Sequence, residues 1–219
     1  TIEWTEQTWN PTTGCTKISP GCKNCYAEVM ARRLQAMGAP GYEDGFNLAL
    51  HADRLAQPLQ RKKSTVYFVN SMSDLFHEDV SDDFILEVWN VMRETPHHNY
   101  QILTKRPDRM AALVASRMGD ILPNVWLGTS IENADVVSRV DYLRQAPAAI
   151  RFISFEPLIA SVGAVDLRDI HWAIVGGESG KSARPIKEEW IDEIHRQCLS
   201  AGTAFFFKQW GTWGKDNKR

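Results

Sequence analysis

Apolar and polar positions along the chain fall into a repeating rhythm. Six short runs rich in β-branched and aromatic residues each end in polar residues and give way to a helical pattern. They are Thr65-Val-Tyr-Phe-Val-Asn-Ser, Tyr100-Gln-Ile-Leu-Thr-Lys-Arg, Asn124-Val-Trp-Leu-Gly-Thr-Ser, Ile150-Arg-Phe-Ile-Ser-Phe-Glu, His171-Trp-Ala-Ile-Val-Gly-Gly-Glu and Ala204-Phe-Phe-Phe-Lys-Gln. Strands buried on both faces lack strict polar alternation, so these runs predict parallel strands. Between them, the segment from Ser81 to Glu94 opens with cap-type residues and sets Phe84, Val88 and Val91 at helical spacing. Asp108 to Met118, Ala134 to Arg144 and Lys187 to Ser200 predict helices in the same way. A β/α unit therefore repeats about every 25 to 45 residues, with right-handed crossovers. A short leading strand is expected in Ile2 to Thr5 or around Leu48 to His51. The pattern favours an α/β fold, a partial (β/α) barrel of about six parallel strands, over a flat doubly wound sheet, in one domain spanning residues 1–219.

In a barrel of this kind the chemistry sits at the carboxyl ends of the strands, and there the sequence concentrates polar groups. The ends carry Asn70, Ser71 and Asp74; Thr104, Lys105 and Arg106; Thr129, Ser130 and Glu132; Ser154 and Glu156; Gly176, Gly177 and Glu178; and Lys208 and Gln209. One polar strand end means little, since caps and loop hydrogen bonds use such residues everywhere. Six together describe a rim for a polar ligand.

Three of the four cysteines fall within eleven residues, Cys15-Thr-Lys-Ile-Ser-Pro-Gly-Cys22-Lys-Asn-Cys25, in a Gly/Pro-rich loop that runs into a helical pattern. Thiolates are costly to hold together unless a cation neutralises them, so Cys15, Cys22 and Cys25 read as metal ligands. A structural zinc is normally closed by four ligands, whereas three thiolates on a cubane 4Fe-4S cluster leave one iron open. Zinc completed by Cys198 or a histidine remains an alternative, although Cys198 sits in the apparent helix Trp190-Ile-Asp-Glu-Ile-His-Arg-Gln-Cys-Leu, where a buried small apolar role suits it better. A disulfide fits poorly, because Cys22 and Cys25 would close a tight loop and nothing else looks secreted.

Composition narrows the class without naming it. The 219 residues are 43% hydrophobic and 24% charged, enough to bury a full core, and the formal net charge of −2 supplies no global field toward nucleic acid or membrane. Arg61-Lys62-Lys63 is a local basic run that a solvated turn explains better than a binding patch. No apolar stretch approaches the ~20 residues of a membrane span, and no signal-peptide pattern opens the chain, so a reducing cytoplasm is expected.

The segments Trp9-Asn-Pro-Thr-Thr-Gly-Cys, Cys22-Lys-Asn-Cys-Tyr-Ala, Asn70-Ser-Met-Ser-Asp-Leu-Phe-His, Leu103-Thr-Lys-Arg-Pro, Phe155-Glu-Pro-Leu, Val175-Gly-Gly-Glu-Ser-Gly and Phe207-Lys-Gln-Trp-Gly resemble the phage-type three-cysteine proteins of undefined function over almost the whole chain. More distantly, a cysteine loop near the first strand of a partial β/α barrel resembles the radical S-adenosylmethionine enzymes. Their usual loop has three residues between its first two cysteines and an aromatic before the third. Here six residues separate Cys15 from Cys22, and Asn24 precedes Cys25. Their Gly-Gly-Glu follows an early strand, yet Gly176-Gly177-Glu178 closes a late one.

That second resemblance implies a 4Fe-4S cluster whose open iron chelates S-adenosylmethionine, with an electron donor as partner. Candidate cofactor-binding residues are then Ser71, Thr104, Lys105, Ser130, Glu156, Gly176, Gly177, Glu178 and Arg184. The paired glycines either admit a close ligand, with Glu178 binding an ammonium or hydroxyls, or form a turn before an exposed acid. They do not supply a dinucleotide fingerprint. Lys105, Arg106 and Arg184 suit a phosphate or carboxylate, or else pair with rim acids such as Glu132 or Glu156. Phage association makes a nucleotide or nucleic acid the expected substrate, with Trp9, Trp126, Trp210 and Trp213 as a stacking surface unless they belong to the core. The competing class is a non-catalytic module, braced by zinc or a cluster, that binds nucleic acid or a protein partner.

Replacing Cys15, Cys22 or Cys25 by Ala should abolish iron loading on anaerobic reconstitution, while Cys198→Ala should load normally. Iron content equal to wild type in Cys22→Ala contradicts the ligand assignment.

Overall fold

A computed structural model of the chain describes residues 4–216. Its strands are β1 (Gln7–Trp9), β2 (Thr12–Thr13), β3 (Ala49–Leu50), β4 (Val66–Val69), β5 (Asn99–Thr104), β6 (Val125–Ser130), β7 (Ile150–Phe155), β8 (Trp172–Gly176) and β9 (Ala204–Gln209). The helices are α1 (Tyr26–Ala36), α2 (Gln57–Gln60), α3 (Asp82–Glu94), α4 (Pro107–Arg117), α5 (Arg139–Gln145) and α6 (Glu188–Ala201). All six expected strands form. The principal sheet has seven strands in the order β1-β4-β5-β6-β7-β8-β9, and every neighbouring pair is parallel.

Strand order follows chain order without reversal, so the sheet has no switch point and winds as a barrel does. Its curl can be read from one side chain. The Trp4 ring lies 4.8 Å from Phe68 of β4 and 5.9 Å from Trp172 of β8. Those strands are four places apart, about 19 Å in a flat sheet at the usual strand spacing. The chain is thus an α/β curled half-barrel of seven parallel strands.

The leading strand differs from both expected positions. It is β1, held on β4 with Trp9 fully buried, whereas β3 pairs antiparallel with β2 as a short clip. The candidate at 2–5 lies partly outside the described residues, and Trp4 and Thr5 are in no strand. The helix expected from Ala134 to Arg144 also divides, into a 3-10 turn at Ala134–Val136 and then α5. Arg139 turns inward, donating to Ser130 O and Glu132, and so fixes where α5 begins.

Helices cover the convex face. Ile85, Val88, Trp89 and Met92 of α3, Met110 and Val114 of α4, Leu143 of α5 and Ile194 of α6 pack on Tyr67, Val69, Ile102, Leu127, Ile153, Phe155 and Val175 in one apolar cluster. Ser81 accepts a hydrogen bond from Phe84 N and caps α3, as its cap-type opening leads one to expect. The concave face is lined separately by aromatic rings: Phe152 and Trp172 pack on Trp4, and Trp126 and Phe206 on Trp172. No helix among the described residues is long and apolar enough to cross a membrane.

Gly128 makes room for this aromatic floor, because a Cβ there would stand 2.5 Å from the Phe152 ring. Alanine ordinarily stabilises a strand by about 0.5–1 kcal/mol over glycine. Overpacking of this kind costs about 1–3 kcal/mol, so Gly128→Ala should lower the urea midpoint. An unchanged or raised midpoint contradicts the packing described.

Candidate functional site

The cysteine loop leaves β2 through Gly14, whose φ of +78° and close approach to Asn47 O exclude a side chain. It ends at Cys25, the N-cap residue of α1. The loop spans the carboxyl ends of the strands, held there by groups from four of them. Glu132, fully buried beyond β6, accepts from Gly21 N at 3.1 Å and from Arg139 at 2.9 Å. Glu178, beyond β8, accepts from Asn24 Nδ2 at 3.0 Å and from Arg184 at 2.6 Å, while Arg184 also donates to Pro20 O at 3.0 Å.

At the other end of the loop, Arg106 beyond β5 donates to Thr16 Oγ1 at 2.9 Å and reaches Cys15 Sγ at 3.6 Å. Its orientation comes from Asp74 beyond β4, which accepts from Arg106 at 3.2 Å, Thr104 Oγ1 at 2.7 Å and Lys105 N at 3.0 Å. All four cysteines are free thiols. Cys15, Cys22 and Cys25 together line a cavity of 140 Å³ that also meets Asn70, Ser71, Thr104, Lys105, Arg106 and Ser130.

A second cavity, of 450 Å³, shares Cys22, Cys25, Tyr26, Phe68, Leu103, Lys105 and Ser130 with the first. Its wall adds Trp4, Ser154, Glu156, Gly177, Glu178, Lys208 and Gln209. The cysteine loop and the strand ends therefore share one face.

Electrostatics separate the thiols. Burial, with help from Asp74, raises the pKa of Cys15 against the pull of Arg106. Burial opposes ionisation of Cys22 too, but the Lys105 ammonium and local donors outweigh it and lower the pKa. Burial likewise opposes the charged form of Glu178, yet hydrogen bonds from Arg184 and Asn24 prevail and hold its carboxyl below the usual range. Cys198 stands apart, fully buried in α6 with its thiol pushed up to about 11 by burial.

Most of the residues singled out from sequence come together here, but their partners sort them. Thr104 donates to Asp74 and accepts from Arg106 N, so its hydroxyl is used internally. Glu156 accepts from Lys208 at 2.8 Å and from Ser154 at 3.1 Å. Glu178 is buried rather than exposed, and the cation it holds is Arg184. On the Cβ side of the two glycines the space is filled by the protein, since a Cβ on Gly177 would stand 2.0 Å from Trp210 O and one on Gly176 2.7 Å from Glu156 Oε2, while Gly177 still lines the larger cavity. Ser71 offers its carbonyl to the Tyr26 hydroxyl. Lys105 makes no side-chain hydrogen bond or ion pair among the described residues and touches both cavities.

The four tryptophans do not gather. Trp9 is buried against Tyr100, Trp210 packs on Phe207, Trp213 donates to Ala183 O, and Trp126 lies at the start of β6, away from the strand ends. Arg61-Lys62-Lys63 precedes β4 at the far end of the sheet, with Arg61 donating to Thr65 Oγ1. Trp4 and Phe68 were not expected at the site. Phe68 faces inward only because the sheet curls, and Trp4 precedes every strand, so local pattern points to neither.

The fold is similar to that of spore photoproduct lyase, a radical S-adenosylmethionine enzyme. The chain aligns with two single-substitution variants of that enzyme at TM-scores of 0.61 and 0.60 and 12% identity, covering 95% of this chain and 77% of theirs. A variant complexed with dinucleoside spore photoproduct aligns at 0.56 and 13% identity; the chain spans 63% of that protein. At such identities the likeness shows the fold alone. The chain belongs to the family described as protein of unknown function (DUF5131), whose model matches residues 1–219. No curated protein matches it.

A depressed carboxyl pKa stabilises the fold above the ordinary glutamate range, about 4.3, and that stabilisation is lost as pH falls through the lowered value. Glu178→Gln should therefore be less stable than wild type by about 1–3 kcal/mol at pH 7, and the gap should close toward pH 3. Urea unfolding at both pH values measures it. A gap that persists unchanged in acid contradicts the role given to the carboxylate.

Proposed function

We propose that the chain is an iron–sulfur protein of radical S-adenosylmethionine type that acts on a nucleotide, nucleic acid or other phosphate-bearing substrate. One observation carries the reading. The three loop thiols line a single small cavity that shares a wall with a larger polar cavity at the strand ends. Cys15, Cys22 and Cys25 would hold a 4Fe-4S cluster, and the donor set suits it: free thiols, an arginine beside Cys15 and a lysine acting on Cys22. Such a cluster, held by these three thiols, would supply one-electron reductive chemistry to S-adenosylmethionine in the adjoining cavity.

The chain's own residues would do the rest. Lys105, a cation without an internal partner, would anchor the cofactor carboxylate beside the cluster. Ser130 and Ser154 offer hydroxyls on the same wall, and Trp4, Phe68 and Leu103 form the apolar side that excludes water. Glu178 and Arg184 would act on the cofactor indirectly, by holding Asn24 and Pro20 so that Cys22 and Cys25 keep their places. A nucleic-acid-related substrate is supported by the dinucleoside bound to the similar lyase.

The alternative, a non-catalytic module braced by zinc, has less support. One zinc needs its ligands about 2.0–2.3 Å from a single point. The fourth cysteine, Cys198, is fully buried in α6 and joins neither cavity, whereas a structural zinc is normally closed by four ligands.

Anaerobically reconstituted protein should carry about four irons and release 5′-deoxyadenosine from S-adenosylmethionine under reduction, as measured by chromatography. Lys105→Ala should retain its iron and bind the cofactor roughly tenfold more weakly. Fully loaded wild type that neither binds S-adenosylmethionine nor releases 5′-deoxyadenosine, even with nucleotides present, refutes the reading.

A further inference from the structure

The larger cavity has two ends. Lys105, beyond β5, stands where it meets the cysteine cavity, and the reading above puts the cofactor carboxylate there. The other end carries Glu156, beyond β7, and Lys208, in β9. Strand β7 is two places from β5 in the sheet and β9 is four, about 10 and 19 Å at the usual strand spacing before the curl draws them in. One cavity of 450 Å³ thus holds a second group of polar atoms that the cofactor carboxylate leaves unused.

Glu156 and Lys208 form a fixed pair with spare capacity. Lys208 Nζ donates to Glu156 Oε2 at 2.8 Å, and Ser154 Oγ donates to Glu156 Oε1 at 3.1 Å. Gly176 seats the carboxylate, since a Cβ there would stand 2.7 Å from Oε2. Both side chains line the cavity and stay reachable, Glu156 at 15% exposure and Lys208 at 19%. A carboxylate has about four acceptor positions and an ammonium three donors, so each group keeps room for a ligand. Their charges cancel, so this end lacks the unpaired cation that suits a phosphate.

The pair presents a donor beside an acceptor, in a cavity whose apolar wall is Trp4, Phe68 and Leu103. A flat heteroaromatic ring with polar groups along one edge matches both surfaces. Guanine sets O6, N1–H and its 2-amino group in a row on its pairing edge. O6 can then accept from Lys208 while N1–H and the amino group both donate to Glu156. Adenine, cytosine and uracil offer a carboxylate one N–H at most on that edge. We propose that the Glu156–Lys208 end of the larger cavity binds a guanine base by its pairing edge, so that the substrate is a guanine nucleotide, free or in an unpaired strand. This deepens the functional reading above and rests on it.

Calorimetric binding to the cluster-loaded protein, with S-adenosylmethionine present, compares GMP, IMP, AMP, CMP and UMP, and then single-stranded oligonucleotides with and without a guanine. Wild type should bind GMP about tenfold or more tightly than AMP, CMP or UMP, and about tenfold more tightly than IMP, which lacks the amino group. Glu156→Gln should erase the gap between GMP and IMP, and Lys208→Met should weaken both by about tenfold, with circular dichroism checking that the fold is kept. The gap in wild type needs no variant, so the test survives a variant that fails to fold. A guanine preference shown by the mononucleotides supports the site with a free nucleotide as its source. A preference shown only by the single strands supports it with nucleic acid as the source. Equal binding of all bases in both forms, or the wild-type preference kept in both folded variants, overturns the proposal. Iron content and 5′-deoxyadenosine release are measured on the same preparations. If they hold while the preference is absent, the guanine site alone fails; a preparation that takes up no iron and releases no 5′-deoxyadenosine overturns the functional reading and the substrate claim with it.

Discussion

Everything at the carboxyl end of this half-barrel depends on two buried carboxylates that reach up to a loop with almost no regular structure of its own. Glu132 receives Gly21 N, and Glu178 receives Asn24, each acid being balanced by its own arginine. A buried carboxylate without such partners would neutralise or draw in water, so each pair sets both the charge state and the position of what it holds. Because the acids sit beyond different strands, the loop is tied at two points across the curl of the sheet. Cys22 lies between those ties and Cys25 directly follows the second, so their placement follows from the sheet.

The same bookkeeping of charge shows where a ligand can act. Arg106 is taken by Asp74, Arg139 by Glu132, Arg184 by Glu178 and Lys208 by Glu156. Four of the cations around the cavities are thus internal to the scaffold, and Lys105 is left. Its ammonium lies where the small cavity meets the large one, near enough to lower the pKa of Cys22. A surface ion pair contributes little to stability, but pairs held in a partly dry wall define a shape that an incoming anion must fit.

Much of this was legible from the order of residues. Period and flanking polar residues located all six strands, because parallel strands bury both faces and end where the loops begin. The cysteine spacing pointed to one loop, and the polar strand ends pointed to the rim beneath it. What pattern could not show was partnership. Glu178 reads as an exposed acid or a ligand residue until Arg184, six positions on, is seen folded back upon it. Glycines 176 and 177 read as room for a ligand, yet they make room for Glu156 and for the backbone of Trp210. The leading strand escaped notice because three residues are too few for a period, and Trp4 found its place through the curl, which no local window contains.

The joining of the two cavities through Cys22, Cys25 and Lys105 is what supports the proposal that they serve one chemistry. Electron–nuclear double resonance of the reduced, reconstituted protein examines it directly, using S-adenosylmethionine labelled with ¹⁷O in its carboxylate and ¹⁵N in its amino group. Hyperfine coupling of both labels to the cluster is expected in wild type, and it should weaken in Lys105→Ala. A fully loaded cluster that shows no coupling to either label contradicts the assignment of the larger cavity to the cofactor.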